Sequence, residues 1–90
     1  MAQLTDADHR AITRAKQLAS DEVPAIAHVA ASAIAHYDEA TQWEDLARKS
    51  RAGRQGVPPV SQCDTESLAS LKAARALATA ANDAKAVNAR

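Results

Sequence analysis

The sequence predicts an all-α protein: a short helix, a long helix and a returning third helix, forming a helical hairpin or a three-helix bundle. Three observations carry this. Apolar residues recur at three- and four-residue spacing along most of the chain, and no segment alternates as a strand would. Alanine, the strongest helix former, supplies much of the 47% hydrophobic content. Helix-breaking residues are confined to Pro24 and to the stretch from Gly53 to Pro59.

The first helix starts at Thr5-Asp6-Ala7-Asp8. There the Thr5 hydroxyl can accept from the Asp8 amide while the Asp8 carboxylate reaches back to Thr5, as in a capping box. Ala7, Ala11, Ile12, Ala15, Leu18 and Ala19 then follow at helical spacing. Pro24 is tolerated only in the first turn of a helix, so Asp21 is read as the N-cap of a second helix running from about Glu22 to about Ala52. Gly53 ends it. A kinked continuation of the first helix is the alternative.

Residues 53–63 form a Gly/Pro-containing connection, with Val57-Pro58-Pro59-Val60 held extended by consecutive prolines. Asp64 or Thr65 then caps a third helix from about Glu66 to about Asn88, whose apolar positions include Leu68, Leu71, Ala74, Leu77, Ala78, Ala81, Ala84 and Val87. No internal repeat of solenoid period is present, and residues 1–90 read as a single small helical domain.

Ala19, Ile26, Ala33, Ala40 and Ala47 repeat every seven residues, with Val23, Ala30, Tyr37 and Glu44 as a second row alongside. Small residues at this spacing allow two helices to approach closely. Ile26, Val29, Ala33, Tyr37, Ala40, Trp43 and Ala47 are therefore the candidate interaction seam. Helix three of the same chain or a partner can fill it.

A chain of 90 residues buries a thin core, and this one has one Trp, one Tyr and no Phe. That scarcity favours completion by oligomerisation. The formal net charge is +0, so nucleic-acid binding would require a local patch. Arg48, Lys49, Arg51 and Arg54 supply the one candidate for anion or nucleic-acid contact, since no acid lies between Asp45 and Asp64. The same basic residues also suit the negative end of a helix dipole.

Gly53-Arg54-Gln55-Gly56 has the GxxG spacing of KH-type RNA-binding modules, but prolines follow it and the strands of that module are lacking, so it is read as a turn. His28 and His36 are about 12 Å apart along a helix, too far to share a metal. Cys63 has no second cysteine and no evident histidine partner. Asp38, Glu39, Glu44 and Asp45 read as a solvated helix face. Neither a catalytic constellation nor a cofactor or metal site is expected.

The segment Met1–Asp6 does not have the form of a secretory signal. The uncharged stretch from Val23 to Tyr37 is too short and too polar for a bilayer span. A cytoplasmic location and no membrane association are the expectation, and the high Ala and Arg content suggests a bacterial or phage genome. Together these readings give a non-enzymatic helical protein–protein interaction module, a homo-oligomer or a small accessory subunit. The alternative is a small nucleic-acid-associated regulator using the turn at 48–54.

Overall fold

The computed structural model describes residues 4–88, so the first three residues of the N-terminal segment lie outside the described part. Three helices follow in order: α1 (Asp6–Leu18), α2 (Pro24–Arg51) and α3 (Val60–Asn88). No strand occurs among the described residues.

The start of α1 follows the expected chemistry. Asp8 N–H donates to Thr5 Oγ1 at 3.1 Å, and Thr5 N–H donates to Asp8 Oδ2 at 3.0 Å. Two otherwise orphaned amides are thereby satisfied. Hydrogen bonding to Thr5, reinforced by Arg75, holds the Asp8 carboxyl below the usual aspartate range.

The second helix starts two residues later than the sequence reading placed it. Val23, not Asp21, is its N-cap, with extended backbone at φ −87° and ψ 111°. The cause is Pro24, whose ring excludes the preceding residue from helical geometry while itself fitting the first turn. Asp21 still works one step upstream, since its carboxylate accepts from Val23 N–H at 3.0 Å. The chain breaks between α1 and α2, so the kinked-continuation alternative does not hold. Ala19 accordingly caps the C-terminus of α1 and does not belong to the seven-residue row on α2.

At the other end of α2, Gly53 N–H donates to Ser50 O and Arg54 N–H to Lys49 O, both at 3.1 Å. This double closure is a Schellman motif, and it requires the left-handed φ of +81° that Gly53 supplies.

The third helix begins at Val60, six residues before the expected start, so the connection is shorter than residues 53–63. Pro59 precedes the first turn, where the amide that proline lacks would have had no helical acceptor. Cys63 N–H already closes onto Pro59 O at 3.1 Å. Thr65 is therefore inside the helix, its hydroxyl donating back to Ser61 O at 2.9 Å. Neither Thr65 nor Asp64 is the cap.

The helices run up, down and up. Asp8 meets Arg75, Asn82 donates to Ala11 O at 3.2 Å, and Asp21 meets Lys85, so α1 ascends alongside α3. One core cluster joins all three through Ile12, Ala15, Leu18, Ile26, Ala30, Ala33, Ala78 and Ala81. At 13 residues α1 is about 20 Å long, against roughly 42 Å for α2 and α3, so it covers only about half of the hairpin.

Beyond α1 the two long helices pack on each other alone. Ala40 and Ala47 of α2 and Cys63, Ser67, Ser70 and Ala74 of α3 are buried there. This contact lets backbones approach but removes little apolar area from water. The result is a flat, long molecule of 52 × 22 × 15 Å.

Candidate interaction surface

The predicted seam divides in two. Ile26, Ala33, Ala40 and Ala47 are 4% exposed or less, on a helix whose chief neighbour is α3 of the same chain. Val29 and Tyr37 flank the core cluster, and the Lys16 ammonium sits 6.0 Å from the centre of the Tyr37 ring. Trp43 is partly exposed and lies outside that cluster. The small-residue row is thus filled from within, and the indole at its edge is left to a different surface.

Helical spacing sorts the remaining side chains into two sides of the hairpin. On α2, Tyr37, Thr41, Glu44 and Arg48 descend the side that carries α1, as the Lys16 contact with Tyr37 marks. His36, Glu39, Trp43, Leu46 and Ser50 descend the opposite side. On α3, Asp64, Leu68, Leu71, Arg75, Ala78 and Asn82 share the α1 side, where Arg75 and Asn82 touch α1. Glu66, Ala73, Leu77, Ala80 and Ala84 fall on the opposite side.

The contacts of α1 leave that opposite side uncovered by it. Trp43 and Leu46, one turn apart, are both partly exposed, and an open groove lined by Thr41, Gln42, Asp45, Leu46 and Arg48 runs round the outward face of α2 from Leu46 towards the α1 side. Across the hairpin Ala73 and Leu77 are also partly exposed. Two large apolar side chains are more exposed than these: Leu68, on the α1 side beyond that helix, at 40%, and Val87, near the end of α3, at 63%.

The basic end of α2 is paired, largely by the two acids that bracket it in sequence. Asp45 receives Arg48 at 2.5 Å and Lys49 at 3.1 Å, and Asp64 receives Arg51 at 3.3 Å. The Asp45 carboxyl is held below the usual aspartate range, first by the Lys49 hydrogen bond and charge and then by Arg48. Arg54 has no ion pair among the described residues. The (i, i+3) and (i, i+4) spacing of Asp45 to Arg48 and Lys49 was a readable sign of this pairing. The contact of Arg51 with Asp64 was not, because it depends on the early start of α3.

Family models, curated proteins and solved structures offer no match to this chain. Its chemistry is therefore read from its own residues. Cys63 is fully buried, its thiol donating to Pro58 O at 3.7 Å. The His36 imidazole lies 3.9 Å from Glu39, and His28 is exposed on the same helix. Among the described residues no group of three or more His, Cys, Asp or Glu side chains is placed to hold a metal ion. Likewise, no helix among them is long and apolar enough to cross a membrane. Glu44, read above as part of a solvated face, accepts a 3.5 Å hydrogen bond from the buried Ser67 hydroxyl and so ties α2 to α3.

Proposed function

We propose that this protein is a non-enzymatic helical interaction module, a homo-oligomer or a small accessory subunit, which docks through the side of the hairpin opposite α1. The observation that supports this reading most is the pairing of Trp43 and Leu46, one turn apart and partly exposed. The chain has a single indole, and here it does not belong to the joint core of the three helices. Aromatic side chains at such positions carry a disproportionate share of binding energy once a partner excludes water.

The nucleic-acid reading has less support. Asp45 and Asp64 already engage Arg48, Lys49 and Arg51, so a phosphate contact at any of these three would have to displace an internal ion pair, which leaves Arg54 alone in this turn unpaired among the described residues. A photo-cross-linking residue at position 46, compared with one at exposed position 10 on α1, tests the proposal in cells that produce the protein. Protein adducts at position 46 and few at position 10 are expected. Equal adducts at both positions, or none at position 46, would overturn it.

A further inference from the structure

We propose that the turn between α2 and α3 is a cleavage site for an endoprotease that cuts after arginine, and that the bond between Arg54 and Gln55 is the one it reaches in the folded chain. Three observations lead to it.

The first is the placement of the basic side chains. The chain has 11 Lys and Arg residues. Arg90 lies outside the described residues, and of the others only Arg54 stands outside a helix. A protease takes its substrate as an extended strand laid along a cleft, so a helical site has to be unwound before it can be cut. Arg54 needs no such unwinding.

The second is the backbone of the turn. Residues 52–56 are all exposed. The main-chain bonds that fix Arg54 are the two of the Schellman closure, from Gly53 N–H to Ser50 O and from Arg54 N–H to Lys49 O. Releasing them frees the turn while the body of each helix stays wound. Gly53 at φ +81° and Gly56 at φ +80° bracket the bond. Both can pass from the left-handed to an extended backbone at little cost, and neither carries a side chain to obstruct entry into a cleft. Exposed loop tips of small and polar residues are where folded chains are nicked.

The third is the Arg54 side chain itself. Arg48 and Lys49 are held by Asp45, and Arg51 by Asp64, whereas Arg54 is exposed and has no ion pair among the described residues. Its guanidinium is therefore free to enter an acidic specificity pocket. In the cut, water adds to the Arg54 carbonyl carbon and the C–N bond to Gln55 breaks. Arg54 is left with a carboxylate and Gln55 with an ammonium group. Because α2 ends at Arg51 and α3 begins at Val60, every helix stays whole. One product carries α1 and α2, the other α3, and the core cluster draws on both.

Limited digestion of the purified full-length chain with trypsin, followed by mass spectrometry, tests this. The first products should be one fragment ending at Arg54 and one beginning at Gln55. Arg54→Gln should slow the first cut at least about tenfold with helical circular dichroism unchanged, and Arg54→Lys, which trypsin also accepts, should restore it. The rate of the wild-type cut should not change in urea too dilute to unfold the protein, because cleavage through global unfolding rises with denaturant and cleavage of the native turn does not. A first cut after any other Lys or Arg, a rate that climbs with dilute urea, or an Arg54→Gln variant cut as fast as the wild type would overturn the proposal.

Discussion

Ala40 is 1% exposed where α2 meets α3 beyond the reach of α1. A larger side chain there would have to part the two helices, so Ala40→Leu should cost about 1–3 kcal/mol through overpacking. Thermal melting measures it, with each kcal/mol lowering Tm by about 4–8 °C in a domain of this size. An unchanged or higher Tm would mean that the helices are not closely apposed at Ala40. Gly53 offers a complementary case. A methyl group would meet nothing within 4 Å there, yet the φ of +81° is unfavourable for any L side chain. Gly53→Ala should therefore cost about 1–2 kcal/mol, because its Cβ would crowd its own backbone and nothing else.

Single residues were unevenly legible in the sequence. The Thr5 and Asp8 cap could be read directly because both partners lie within four residues of each other. Ile26, Ala33, Ala40 and Ala47 were legible as one face, because their spacing follows from helix geometry. Which helix would cover that face was not, since small residues accept a helix of the same chain or of another equally well. The division of Trp43 from the rest of the seam depended on that choice.

At the scale of elements, the errors lie at the two proline boundaries. Pro24 moved the start of α2 later by holding Val23 extended, and Pro59 allowed α3 to start earlier by standing just ahead of its first turn. One rule, that proline suits helix starts, explains both. The second boundary matters more, because it turned Cys63 from a connection residue into a buried one.

The joint between α1 and the hairpin is electrostatic at its upper end, and its pH dependence follows. Lys85 donates to Asp21 at 2.6 Å, and this bond, with that from Val23 N–H, holds the Asp21 carboxyl below its ordinary range. A depressed folded-state pKa means that the ionised form favours the fold. Its contribution is present above the unfolded value near pH ~4 and is lost as pH falls through the lower folded value. Asp21→Asn should therefore melt below the wild type at pH 7, and the gap should narrow as the pH falls below about 4. A gap that stays constant or widens on acidification would contradict the role given to Asp21. Removing the α1 cap, Thr5→Ala, should cost about 1 kcal/mol independently of that pair.

The molecule as a whole has a short helix on one side of a long hairpin and none on the other. Three α1 residues, Ile12, Ala15 and Leu18, bind it to the core, and half of the hairpin's length extends past it. With small residues between α2 and α3, Trp43 and Leu46 stay partly exposed and Leu68 and Val87 more fully so, while Leu77 packs against the core cluster.

Trp43 reports on contact with the side opposite α1 without modification, being the one indole in the chain. Its emission maximum and its quenching by acrylamide can be followed while the protein concentration rises from about 0.1 to about 100 μM. If the protein associates with itself, the account predicts a shift to shorter wavelength and reduced quenching over the range in which the mass rises. Association that leaves both signals of Trp43 unchanged would contradict it, because the contact would then lie elsewhere.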